Sequence, residues 1–205
     1  MKRIILNCCI ALLCCCTACK KELVVYHPAV EVDVVPQQSP KPYVAYTIKQ
    51  GEQYCDKNNL APAQYDVLNF WVKFDSTAIY TNSVKENQLD INKLYGFSDN
   101  NADHHAYSAR FGWRWSDNAL RLFGYVYNDS IRSSMEIGTV NIGTENFCSI
   151  KVAGNKYVFM LNDKTLIMPR TSKTPKGMGY KLYPYFGGDE LAPHQITIFI
   201  KELSE

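Results

Sequence analysis

From Tyr43 onward the chain alternates apolar and polar residues in short runs, and no helical period is sustained. Leu68, Phe70, Val72 and Phe74 alternate with Asn69, Trp71, Lys73 and Asp75. Further β-branched and aromatic runs cover Tyr43–Lys49, Ile91–Phe97, Tyr107–Tyr127, Ile131–Ile142, Phe147–Val152, Lys156–Leu161, Lys164–Met168, Tyr180–Phe186 and Gln195–Lys201. Turn residues separate them, and Asn162-Asp163 is a good two-residue hairpin turn. About ten strands in one domain predict an all-β, two-sheet antiparallel sandwich. Pro62–Gln64 and Ser76–Ile91 are read as short helices.

The densest aromatic and arginine cluster is Tyr107–Tyr127, read as two strands joined at Ser116-Asp117-Asn118. On the second strand Leu120, Leu122, Gly124 and Val126 share one face, and Arg121, Phe123, Tyr125 and Tyr127 share the other. The first set suits a core. The second, rich in rings and carrying an arginine, suits a binding platform. The first strand sorts Ser108, Arg110, Gly112 and Arg114 against Tyr107, Ala109, Phe111, Trp113 and Trp115. Large aromatics dominate both cores and interfaces, so alternation leaves open which of these sets faces outward.

The start of the chain has a different pattern. Met1-Lys2-Arg3 precedes an apolar run from Ile4 to Cys16, followed by Thr17-Ala18-Cys19-Lys20. A basic head, a short apolar segment and a small-residue exit mark a secretory signal over residues 1–18. The segment resembles a bacterial lipoprotein signal of Bacteroides type, although Cys16 stands where leucine is usual. The resemblance implies lipidation at Cys19 and an outer-membrane lipoprotein facing the periplasm or the cell surface. Residues 19–42 read as a tether, and its stretch Leu23–Pro42, with Pro28, Pro36, Pro40 and Pro42, would reach about 60 Å if extended. Residues 43–205 form the sandwich.

Removing the leader changes charge and cysteine content. The chain has 22 Lys and Arg against 20 Asp and Glu, and loss of Lys2 and Arg3 brings the counts level. No basic excess favours nucleic acid, and an anionic ligand would need local arginines. Beyond Cys19 only Cys55 and Cys148 remain. In an oxidising compartment they are expected to form a disulfide, stabilising by about 4–5 kcal/mol in the chain-entropy view.

Lys93-Leu94-Tyr95-Gly96, then Tyr107-Ser108-Ala109-Arg110-Phe111-Gly112-Trp113-Arg114, Tyr125-Val126-Tyr127 and Phe186-Gly187-Gly188 together resemble alginate-lyase-like polysaccharide lyases of the concanavalin-like jelly-roll class. Tyr95 stands where that family has proline. The resemblance spans roughly Ile91–Ile200 and implies a curved sandwich whose concave sheet holds a poly- or oligosaccharide. Tyr95, Arg110, Trp113, Arg121, Tyr125 and Tyr127 are the expected sugar contacts. If the protein is a lyase, Tyr125 would be the base, assisted by Lys93 and Arg110, since an arginine fork matches a uronate carboxylate. Binding without catalysis is the first expectation; a purely structural or partner-binding lipoprotein is the third.

Other chemistry finds little support. Asp99, Asn101 and Asp103 match the opening of a calcium loop, but His104 replaces its glycine and Arg110 its closing acid. Adjacent His104 and His105 would point to opposite faces of a strand. No metal and no cofactor is therefore expected. Glycoside hydrolysis needs paired carboxylates, and the strands offer no paired motif. Arg170–Gly177 reads as a basic flexible loop, and His194 as an anchor for the segment before the last strand.

Overall fold

A computed structural model describes residues 41–204 of the 205-residue chain. The leader, Cys19 and nearly all of the tether lie outside the described residues. Among the described residues twelve strands run β1 Val44–Ile48, β2 Pro62–Tyr65, β3 Val67–Phe74, β4 Asn92–Ser98, β5 Tyr107–Ser116, β6 Ala119–Asn128, β7 Ile131–Val140, β8 Glu145–Ala153, β9 Lys156–Leu161, β10 Lys164–Pro169, β11 Gly177–Leu182 and β12 Ile196–Glu202. They make two six-stranded antiparallel sheets, ordered β1-β12-β3-β8-β9-β10 and β2-β11-β4-β5-β6-β7. Pro62–Tyr65 is a strand, not a helix, because it adds to the edge of the second sheet against β11. Ser76–Ala78 and Lys85–Leu89 are short 3-10 helices of three and five residues.

Local chemistry fixes the hairpins. Asp117 and Asn118 both have positive φ, at 53° and 55°, the type I′ geometry whose twist matches two-residue hairpins. Asp129 and Ser130 do the same between β6 and β7. On β6 the side chains sort as the alternation predicts: Leu120, Leu122 and Val126 are fully buried between the sheets. The register pairs Arg110 with Tyr125 and Ser108 with Tyr127, so the arginines of β5 share the outer face. Ala109, Phe111 and Trp113 therefore point inward, and Phe111 and Trp113 have no exposed surface.

The core is stapled across the sheets by edge-to-face and tilted rings. Phe111 meets Phe70 at 5.7 Å and Phe159 at 5.3 Å, and Trp113 meets Phe74 at 5.6 Å. Each such pair contributes about 0.5–1.5 kcal/mol beyond its area.

The expected disulfide is absent: Cys55 and Cys148 are free and buried. Cys55 bridges Ile48 on the outer side of β1, while Cys148 lies on β8, beyond β12 and β3. Four strand spacings of roughly 4.8 Å separate them, far beyond the span of a disulfide. Burial raises both thiols, Cys55 to about 11, so neither rests as a thiolate.

His194 anchors its segment through Nε2, 2.9 Å from the Thr77 carbonyl. Arg170 is not in a flexible loop. It is 4% exposed and ion-paired to Asp99 at 2.8 Å, and it ties residues 170–176 to the end of β4.

Candidate functional site

A cleft of about 390 Å³ opens on the outer face of the second sheet, over β4, β5, β6 and β11. Lys93, Arg110, Tyr125, Tyr127, Arg132, Tyr180, Tyr185, His104 and His105 line it, and among the described residues no carboxylate does.

Its floor is built by a defect in β4. Register slips between Lys93 and Gly96, so β4 carries one residue more than β5 over this stretch. Lys93 points outward; Leu94 and Tyr95 both turn into the core, at 0% and 2% exposure. Gly96 then sits against Arg110, where a Cβ would run into the Ala109 carbonyl and the Arg110 side chain. Only glycine leaves room there for the arginine to lie down on the sheet.

Arg110 is 6% exposed, and its Nε has no hydrogen-bond partner. No carboxylate of the described residues pairs with it. Its guanidinium stands 5.4 Å from the Tyr125 ring centre, a cation–π contact. Burial lowers its pKa to about 10, opposed by the surrounding tyrosines, so it stays charged at neutral pH. Lys93 donates to the Gly187 carbonyl at 2.6 Å and lies 5.6 Å from the rings of both Tyr125 and Tyr185. Burial and then the Arg110 charge bring its pKa down to about 8. Burial and Tyr127 raise Tyr125, which rests as a phenol able to donate a proton.

The structure thus brings Lys93, Arg110, Tyr125 and Tyr127 into one cleft. Three other expected contacts lie elsewhere. Trp113 faces the core, packed on Phe74 and Tyr80. The bulge turns Tyr95 inward, and its hydroxyl donates to Glu202. Arg121 shares the outer face but sits near the β5–β6 turn, held by Asp117 and Glu136, each at 3.1 Å.

Residues not singled out beforehand complete the cleft. Tyr180 on β11, and Tyr183 and Tyr185 beyond it, supply one wall, and Arg132 on β7 an exposed cation. The Tyr183-Pro184-Tyr185 run before Phe186-Gly187-Gly188 was the available signal. His104 and His105 lie on a turn, not a strand, so their rings sit 4.1 Å apart, tilted by 41°, instead of diverging. Burial, then Arg110, lowers the His104 pKa. Asp99, the first acid of the apparent calcium loop, is fully buried against Arg170 and Tyr157.

No protein-family model and no curated protein matches this sequence. Among solved structures, the alginate lyase AlyC3 is similar at a TM-score of 0.53 and 8% identity, over 78% of this chain and 74% of that one. An alginate lyase of polysaccharide lyase family 7 is matched at 0.44 and 14% identity, over 78% and 76% of the two chains. A carbohydrate-binding module from Bacillus subtilis is matched at 0.39 and 10% identity, over 80% and 95%. The likeness to AlyC3 is one of fold: a jelly-roll β-sandwich.

Proposed function

We propose that this protein binds an anionic poly- or oligosaccharide, with a uronate carboxylate seated on Arg110 and Lys93 over the buried Tyr125 and sugar rings against the half-buried Tyr127, Tyr180 and Tyr185. Arg110 carries this reading. A buried guanidinium with no acid beside it is costly, and the shortfall is made good when an anion arrives. A carboxylate suits the planar donors, and the aromatic walls suit the faces of a pyranose. Alginate, the polymer named for the neighbour of similar fold, is a chain of uronates and has this chemistry.

Isothermal titration with an oligouronate and with its carboxyl-reduced, neutral counterpart tests the proposal. The acid form is expected to bind and the neutral form to bind at least tenfold more weakly, a charged hydrogen bond contributing about 1.5–3 kcal/mol. Equal binding of the two would overturn it.

Lys93 favours a second reading, β-elimination. With a pKa of about 8 it is partly neutral near physiological pH, and it lies beside the group that would hold the carboxylate. As base it would take the proton α to that carboxylate. The C–O bond to the next sugar breaks, a C=C bond forms, and Tyr125 gives its proton to the departing oxygen. An unsaturated product absorbing in the ultraviolet, lost in Lys93→Met, would support this; intact oligouronate after long incubation would exclude it.

We propose further that the chain is lipidated at Cys19 and held at the outer membrane, which rests on the sequence pattern of residues 1–20. Incorporation of labelled palmitate, abolished in Cys19→Ala, is the expected outcome.

A further inference from the structure

At the rim of the cleft the residues between β4 and β5 gather three metal-binding side chains. We infer that Asp103, His104 and His105 form a site for a borderline transition-metal dication such as Zn²⁺, beside the Tyr180 hydroxyl. Their ligand atoms all lie within 4.8 Å of one another. The Asp103 carboxylate stands 3.7 Å from His104 Nδ1 and 3.6 Å from His105 Nδ1. Ligands about 2.0–2.2 Å from a tetrahedral ion lie about 3.3–3.6 Å from one another; the 3.7 Å contact is made by Asp103 Oδ2 and the 3.6 Å contact by Oδ1, so the two carboxylate oxygens face one imidazole each. The Tyr180 hydroxyl is 2.8 Å from His104 Nδ1 and 3.4 Å from an Asp103 oxygen. Two imidazoles and a carboxylate select zinc, nickel or copper over calcium or magnesium, which prefer oxygen alone.

The backbone holds these groups in place. Ala106 and Tyr107 donate to the Asp103 carbonyl at 2.9 and 3.0 Å, forming the turn that puts both rings on one side. Asp103 Oδ1 accepts the His105 amide at 2.8 Å, and Ser108 Oγ donates to the His104 carbonyl at 2.7 Å. The turn is thus fixed by backbone contacts, and the Tyr180 Oη hydrogen bond to His104 Nδ1, at 2.8 Å, is the one that an ion on that nitrogen would replace. His104, His105 and Tyr180 all line the cleft, so an ion there and Arg110 would flank the same ligand. The proposal does not depend on what that ligand is.

The test uses the full, untagged chain, stripped with chelator and alkylated at its accessible thiols in the native state. It is titrated with Zn²⁺ calorimetrically and with Co²⁺ by visible absorption. One equivalent of Zn²⁺ and a tetrahedral Co²⁺ band are expected. His105→Ala and Asp103→Asn should weaken Zn²⁺ binding by roughly tenfold or more and abolish the band, with unchanged thermal unfolding of the metal-free proteins, since both residues are exposed. His194→Ala, away from the rim, should bind like the wild type. No cobalt band, or uptake equal in wild type and all three variants, would overturn the site.

Discussion

Arg110 and Arg170 are both buried, and their surroundings differ almost completely. Arg170 donates Nε to one Asp99 oxygen at 2.8 Å and Nη2 to the other at 3.2 Å; it also reaches the Gly154, Thr174 and Lys176 carbonyls. Asp99 accepts Tyr157 Oη at 2.6 Å and the Met178 amide at 3.1 Å as well. Burial pushes its carboxyl up, but Arg170, Tyr157 and the backbone overcome that and hold it below the usual range. Arg110 has aromatic faces and an orphaned Nε. One arginine closes the fold over residues 170–176. The other is a charge the fold leaves uncompensated, the mark of a group kept for a ligand.

Breaking the closed pair should give the largest effect. Asp99→Ala leaves a buried cation with several satisfied donors but no counter-charge, and is expected to cost about 3–5 kcal/mol. Chemical denaturation checks it; a loss below about 1 kcal/mol would mean that residues 170–176 do not depend on the pair. Arg110→Met should act in the opposite direction. It replaces an unpaired buried charge with an apolar side chain of similar length and should leave the free protein as stable as wild type or up to about 1–2 kcal/mol more stable. A clear loss of stability would show that Arg110 has a structural partner after all.

Lys93 gives a smaller, pH-dependent effect. Its folded pKa is about 8, below its ordinary 10.5. Between those values the unfolded chain binds more protons, so stability rises with pH there. The cost of the charged amine is fully present below pH 8 and relieved by about pH 10.5. Stability curves of wild type and Lys93→Met should converge over that window, while oligouronate affinity falls as pH passes 8. Parallel curves would mean that Lys93 titrates normally.

How much of this was visible in the sequence follows from how local each feature is. The Tyr107–Tyr127 hairpin was legible because its turn residues and alternation are local, and these place Tyr125 and Tyr127 outward. Choosing the outer set on β5 needed the register, which buries Trp113 and lays Arg110 beside Tyr125. Tyr95 was misplaced because one extra residue in β4 reverses the alternation, and a bulge has no sequence mark when both residues are apolar or aromatic. Arg170 looked like a solvated loop residue because Asp99 lies far away in sequence. The wall from β11 was missed for the same reason: long-range pairing brings Tyr180 beside His104. The cysteines show the converse error, a pairing inferred from count alone and excluded by the distance between strands.

The most direct test is thermal unfolding of wild type and Arg110→Met, each with and without saturating oligouronate, in one experiment. Wild type should be stabilised by the ligand, and Arg110→Met should melt as high as free wild type or higher yet gain little from it. Equal ligand stabilisation of the two proteins, or a variant that unfolds well below wild type without ligand, would contradict the account of Arg110 as a charge held for an anionic sugar.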